Sequence, residues 1–199
     1  MRIVTAQELE SWLDHGEVLE RDGRGPKVVK LPNGLFLKIF HTRRLPLLAR
    51  LFPFAKKFTH NVELLHNEGI PAPEVVETFW IDKSKGLTGC LYRPLPGIPL
   101  EELHRKDPGQ LLSALPELAR FIKALHCKGV YFRSLHLGNI ILTPNGEFGL
   151  IDVLDLRKKS RPIGQNLARR NFRHLENYLA RKKIQDFPLE QLMEAYKST

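Results

Sequence analysis

Four side chains in this sequence have the types and spacing to work on an anion. Lys38 stands in Leu35-Phe36-Leu37-Lys38-Ile39-Phe40, where strand alternation puts its ammonium on one face with Phe36 and Phe40. An ammonium on an apolar face needs an anionic partner or a route to water. Lys38 is therefore either an anion-holding group or an edge-strand lysine facing solvent. Asn139 lies in Tyr131-Phe132-Arg133-Ser134-Leu135-His136-Leu137-Gly138-Asn139-Ile140-Ile141-Leu142, and Asp152 follows Leu150-Ile151. Between them Thr143-Pro144-Asn145-Gly146 is a turn signal, because Asn-Gly tolerates the positive φ that a tight hairpin demands. That hairpin would set an amide and a carboxylate side by side, with the Ser134 hydroxyl just upstream.

The elements around these residues can be read from periodicity and punctuation. Thr5-Ala6-Gln7-Glu8 is a capping box ahead of a short helix through Trp12 and Leu13, with Thr and Glu both satisfying amides at its start. From Glu17 to Phe40 the pattern is three antiparallel strands, with turns at Arg21–Pro26 and Pro32-Asn33-Gly34. Gly23 and Gly25 fall in the first turn, where missing side chains let backbone amides approach an anion, and where a plain turn needs glycine equally. A helix follows from about Phe58 to Asn67, closed by Gly69, then strands around Thr78-Phe79-Trp80 and Gly86 to Tyr92. Arg93-Pro94-Leu95-Pro96-Gly97-Ile98-Pro99-Leu100-Glu101-Glu102-Leu103 forbids continuous helix or sheet through its prolines and glycine and reads as a hinge. Asp107-Pro108 starts a helix whose stripe of Leu111, Leu115, Leu118, Ile122 and Leu125 runs to Gly129. Asn166 to Lys182 is helical, and Asp186-Phe187-Pro188 caps a last helix. The expected fold is α+β, with an antiparallel-sheet lobe over 1–92, a hinge at 93–103 and a mainly helical lobe over 104–199.

A chain of 199 residues with 42% hydrophobic and 27% charged residues is ordinary for a globular protein and long enough to bury a core. Its formal net charge of +9 favours anionic partners such as nucleotide, nucleic acid, acidic lipid or phosphorylated sugar. Cys90 and Cys127 lack metal-ligand spacing and read as reduced core thiols. The first residues show no signal-peptide pattern, and no apolar run approaches the roughly 20 residues that span a bilayer. A cytoplasmic protein is expected, with any membrane contact peripheral. His41 to Phe58 interleaves basic and large apolar residues without an acid. It would either rest on an anionic membrane through Leu47, Leu48, Leu51, Phe52 and Phe54, or form an irregular solvated segment broken by Pro46 and Pro53. The basic run after Asp152, from Arg157 to Lys183, is either a dock for a phosphorylated or acidic acceptor or a solvated cationic face.

The loop Phe132-Arg133-Ser134-Leu135 to Asn139, with Asp152-Val153-Leu154 behind it, resembles the catalytic loop and metal-binding segment of the protein-kinase-like superfamily. With Lys38, the Pro-Leu-Pro-Gly hinge, Leu125-His126 and Leu135-His136-Leu137-Gly138-Asn139, it is similar to the Kdo/WaaP lipopolysaccharide-kinase family, which includes small bacterial toluene-tolerance and InaA-like proteins. The similarity covers roughly residues 17 to 180, and the hinge and the Leu-His-Leu-Gly-Asn segment also resemble aminoglycoside and choline kinases. This resemblance implies a two-lobed kinase-like fold and an ATP-dependent phosphotransferase acting on sugar hydroxyls of the lipopolysaccharide core. It implies that Lys38, under a loop holding Gly23 and Gly25, takes the nucleotide phosphates. Glu63 would pair with Lys38 unless Asn61 takes the inward position, and Asn139 and Asp152 would hold Mg²⁺. His126 is expected to be structural.

One residue departs from the pattern, because the position of the catalytic aspartate is Ser134. A serine hydroxyl does not ionise usefully near neutral pH, and losing a general base costs about 10²–10⁴ in rate. His136 or Asp155 would have to substitute. Two functions follow: a specialised kinase of an envelope sugar or lipid intermediate, improved by Ser134→Asp, or a pseudokinase that serves as a nucleotide-binding or empty regulatory scaffold. Nucleic-acid binding by the basic surface is the weakest reading, since it leaves the kinase-like order unexplained.

Overall fold

The computed structural model describes residues 1–41 and 46–199, with side chains throughout except at 46 and 47. Of the basic, apolar stretch read from the sequence, Thr42, Arg43, Arg44 and Leu45, and the side chains of Pro46 and Leu47, lie outside the described residues. The chain divides into two compact units, Met1–His66 with Ala72–Leu95, and Asn67–Pro71 with Pro96–Thr199.

The first unit contains β1 (Arg2–Ile3), α1 (Ala6–His15), β2 (Glu17–Asp22), β3 (Gly25–Lys30), β4 (Phe36–Phe40), α2 (Pro46–Leu51), α3 (Phe54–Asn67), β5 (Glu74–Asp82) and β6 (Leu87–Arg93). Among the described residues its strands form one sheet in the order β1-β5-β6-β4-β3-β2, antiparallel except for β1 on β5. Strand β4 is central and buried on both faces from Leu37 to Phe40. Leu37 and Ile39 join Val29, Phe79 and Leu91 beneath Leu9, Trp12 and Leu13 of α1. On the other face Phe40 meets Phe58 of α3 at a ring separation of 5.6 Å. A strand between two helices has no solvent side, which accounts for its nearly continuous apolar run.

Local chemistry sets the helix ends. Thr5 Oγ1 accepts from the Glu8 amide at 3.1 Å, the expected half of the capping box. The Glu8 carboxylate goes elsewhere, to Arg2 at 2.6 and 2.7 Å, and Arg2 also reaches Glu77 of β5 at 2.6 Å. This ion triad ties down β1, an edge strand the sequence reading lacks. Helix α3 begins at Phe54, earlier than expected, because Pro53 ends α2 and its carbonyl accepts the Lys57 amide at 3.1 Å. From Pro46 onward this stretch is thus two helices with a break at Phe52-Pro53.

The second unit runs through β7 (Ile98–Pro99), α4 (Leu100–Lys106), α5 (Pro108–Ser113), α6 (Leu115–Cys127), β8 (Val130–Phe132), β9 (Ile140–Leu142), β10 (Phe148–Leu150), β11 (Leu156–Lys158), α7 (Gln165–Lys182) and α8 (Leu189–Ser198). The α+β organisation expected from the sequence holds, with an antiparallel-rich sheet in the N-terminal part and mainly helix in the C-terminal part. The single helix expected from Pro108 to Gly129 is two, broken at Ala114. Pro116 has no N–H to give and its ring clashes with a carbonyl one turn back, so a continuous helix cannot pass. Asp107 caps α5 as expected, accepting from the Gln110 amide at 2.9 Å. Asp186 does not cap α8; its carboxylate accepts from His104 Nε2 at 3.0 Å. Cys90 is buried, its thiol pushed up to about 12 by burial, whereas Cys127 is exposed rather than in the core. Among the described residues no helix is long and apolar enough to cross a membrane.

Candidate active site

The chemistry-bearing loop of the second unit is held by its backbone. β8 pairs antiparallel with β11, setting Phe132 opposite Leu156 and therefore Arg133 next to Asp155. The chain then turns, Leu135 N donating to Phe132 O at 3.2 Å, and a single 3-10 turn over Leu137–Asn139 closes with Asn139 N on His136 O at 2.9 Å. β9 and β10 form the expected hairpin, with Ile140 opposite Leu150 and Gly146 at φ 81° in the turn. Ile151 N donates to Asn139 O at 3.0 Å, so the residue after it, Asp152, emerges beside Asn139.

Ser134 Oγ donates to Asp155 Oδ2 at 2.6 Å, and the Ser134 amide reaches Oδ1 at 3.4 Å. Arg133 Nε lies 3.3 Å from the same Oδ2. The position where the resemblance implies a carboxylate therefore carries a hydroxyl aimed at a carboxylate from a neighbouring strand end. A hydrogen bond of this length to an ionised acceptor belongs to the stronger, charge-assisted class.

Asn139 Nδ2 donates to Ser134 O at 3.1 Å and lies 3.3 Å from His136 Nε2. Both contacts use the amide nitrogen, and Asn139 Oδ1 accepts from no described residue. Since the amide is the donor, His136 Nε2 accepts and the ring proton sits on Nδ1, which is buried without a partner. The ring stacks on Tyr178 at 4.0 Å and 6°, and the Tyr178 hydroxyl donates to Glu101, which also holds Lys182 at 2.9 Å. Burial and then the Arg181 charge lower the His136 pKa, opposed by Glu101, Asp152 and Asp155, whose charges reach the ring. Burial and the Glu101 bond raise that of Tyr178. With one nitrogen on Asn139 and the other buried, His136 is placed to orient Asn139. It is not placed as the substitute base suggested by its position in the sequence.

Asp152 is exposed and held at φ 52°, ψ 45°, left-handed backbone that a non-glycine residue rarely adopts. Such strain persists only where surrounding structure enforces it, here the hairpin before it and the 3-10 turn at Val153–Asp155 after it. Among the described residues no three His, Cys, Asp or Glu side chains gather as a metal cage. An amide oxygen left open beside a carboxylate nevertheless suits a hard cation that takes its remaining ligands from phosphate and water, as Mg²⁺ does.

In the first unit Lys38 is 8% exposed, its Nζ 5.7 Å from the centre of the Phe58 ring. Opposite it in the sheet are Val28 and Cys90. It is an interior lysine, not an edge-strand one. Glu63 is exposed and forms no ion pair among the described residues, so the expected Glu63 partnership does not form. Asn61, 4% exposed, shares the inward face with Phe58, Val62 and Leu65 because the helix phase puts residue 63 outside. Gly23 and Gly25 flank the turn between β2 and β3, Gly25 at φ 119°, and a Cβ at either would meet nothing within 4 Å.

His126 is structural, as expected. Nδ1 lies 2.7 Å from Tyr196 Oη and Nε2 3.1 Å from Asn171 Oδ1, and burial depresses its pKa to about 4. A groove of about 940 Å³ between α6, α7 and α8 is lined by His126, Phe172, Met193 and Tyr196 and contains none of Ser134, His136, Asn139, Asp152 and Asp155. Tyr178 and Glu101 are the participants that sequence reading missed. Their signals are a lone tyrosine in a basic helix and a glutamate within the expected hinge, neither distinctive before α4 and α7 are brought together.

No family model matches the sequence, and no curated protein does. Among solved structures, a 2.2 Å crystal structure of WbdD overlays with a TM-score of 0.49 at 16% identity, and a co-crystal structure of WbdD with the kinase inhibitor LY294002 with 0.48 at 17%. Each match covers 86% of this chain and 42% of the other, so the chain spans less than half the length of those proteins.

Proposed function

We propose that this protein is an ATP-dependent phosphotransferase acting on a hydroxyl of an envelope sugar or lipid intermediate, of the kind found in the Kdo/WaaP lipopolysaccharide-kinase family. The observation that carries this reading is the Ser134–Asp155 hydrogen bond of 2.6 Å, which supplies a carboxylate at the place where the resemblance lacks one. Lys38, buried in β4, would hold nucleotide phosphates. Asn139, through Oδ1, and Asp152 would hold Mg²⁺, which when bound supplies positive charge against the phosphates.

The chain's own part is proton handling and orientation. The acceptor hydroxyl gives its proton to Ser134 Oγ as the Ser134 proton passes to Asp155 Oδ2, so the serine ends unchanged and the carboxylate becomes a carboxylic acid. ATP, when bound, would supply the γ-phosphoryl group to the acceptor oxygen, with ADP as the leaving group that carries away the charge of the broken bond. Arg133 keeps Asp155 in place, and the Glu101-Tyr178-His136 chain fixes the Asn139 amide. Positioning and electrostatics carry most of phosphoryl transfer, so a relayed base is chemically adequate.

A pseudokinase is the second reading, favoured by the outward Glu63 and by Arg133 sharing Asp155 with Ser134. Isothermal titration with Mg²⁺ and a nonhydrolysable ATP analogue, followed by turnover of ATP, separates the two. The phosphotransferase reading expects binding and slow turnover, both lost in Lys38→Met and Asp152→Ala. Binding without turnover points to a nucleotide-binding scaffold, and no binding of nucleotide by the unaltered protein overturns the phosphotransferase reading and leaves an empty scaffold.

A further inference from the structure

We infer that the corner where α2 meets α3 is a docking surface for an anionic lipid bilayer, a role independent of the nucleotide reading. Leu48, Leu51 and Phe52 are 50%, 67% and 73% exposed. Their spacing of three and four places them on one side of the helix and its end. The corner is fixed from the other side, since Ala49, Pro53, Ala55 and Phe58 are buried. Large apolar side chains standing out from a firmly anchored corner are not a solvated loop. They are an adhesive face.

The charges around that face select its partner. Arg50, Lys56 and Lys57 are exposed and, among the described residues, hold no carboxylate. The sequence has no Asp or Glu from His41 to Val62, within a chain of net charge +9. A protein interface of ordinary size carries mixed polar partners on its rim. Apolar tips with exposed Arg50, Lys56 and Lys57 beside them and no acidic residue in their stretch of sequence match instead the boundary between acyl chains and negative headgroups, where apolar burial and attraction to anionic lipid act together. Three apolar side chains give shallow, reversible attachment, so the cations are needed as well.

The test is co-sedimentation of the full chain with vesicles of phosphatidylglycerol and phosphatidylcholine, against phosphatidylcholine alone, at low and high salt. The expected result is binding to the anionic vesicles that falls with salt. Leu51→Ser with Phe52→Ser should weaken it about tenfold or more, and Lys56→Gln with Lys57→Gln about fivefold per lysine. Circular dichroism of each variant establishes that it folds, and the lysine pair, whose side chains are exposed, keeps the test valid if the apolar pair does not. Equal binding to both vesicle types, or binding unchanged in both variants, overturns the proposal. So does light scattering that finds a dimer broken by the apolar pair with no vesicle binding, since the face is then a contact between copies of this chain.

Discussion

Ser134 and Asp155 are joined by a hydrogen bond of 2.6 Å because β8 and β11 pair with Phe132 opposite Leu156. The register places the two residues across the end of a short ladder, so a carboxylate twenty-one positions downstream meets the hydroxyl. On the sequence alone Ser134→Asp restores a missing base. In the folded protein it sets two carboxylates against each other, and like charges at that range cannot both stay ionised at ordinary cost.

Ser134→Asp by itself is therefore expected to lower stability by about 1–3 kcal/mol and to give no gain in turnover. Ser134→Asp with Asp155→Ser, which exchanges the two groups, should recover most of that stability. Urea denaturation of the three proteins checks it, and a single variant as stable as the parent would contradict the contact.

His136 acts through Asn139, so its loss should register in cation dependence. His136→Leu frees the Asn139 amide and is expected to raise the Mg²⁺ concentration for half-maximal nucleotide binding by about 10–100-fold. Tyr178→Phe keeps the ring stack and gives up the hydroxyl's bonds to Glu101 and the Gly138 backbone, so the shift should be smaller. Titration of analogue binding against Mg²⁺ measures both.

His126 makes stability depend on pH. Its pKa is depressed to about 4 in the fold by burial, against an ordinary value near 6.5. The native state thus binds fewer protons than the unfolded chain between those values. The contribution is complete above pH 6.5, is lost as pH falls toward 4, and amounts to on the order of 3 kcal/mol. Denaturation midpoints at pH 7, 5 and 4 should fall more steeply for the parent than for His126→Gln.

Gly97 precedes β7 at φ 136°, and a Cβ there would stand 2.3 Å from Leu142 O. Both the backbone angle and the space exclude a side chain. Gly97→Ala is expected to cost about 2–4 kcal/mol, read as a lowered thermal midpoint.

Much of the fold was legible because its signals are local. The Asn145-Gly146 turn, the Thr5 and Asp107 caps and the glycine at 69 act within a few residues, and each falls where the sequence puts it. What was not legible depends on distant partners. The split of α5 from α6 turns on one proline inside a strong apolar stripe, and β1 needs Glu77 to hold Arg2. Asn61 rather than Glu63 faces inward, the alternative that the Phe58, Val62 and Leu65 face left open, because those residues and Asn61 share one side of α3. In the candidate site, Asn139 and Asp152 were visible as a pair because a hairpin joins them. The Ser134–Asp155 bond and the Glu101-Tyr178-His136 chain were not, since each crosses elements whose pairing has no sequence signature.

The most direct measurement is Mg²⁺-dependent turnover of ATP by the parent protein and by Asp155→Asn, which keeps size and hydrogen bonding but cannot take a proton. The account predicts measurable turnover in the parent and a loss of about 10²–10⁴ in the variant, with nucleotide affinity unchanged. Turnover equal in the two proteins would contradict it.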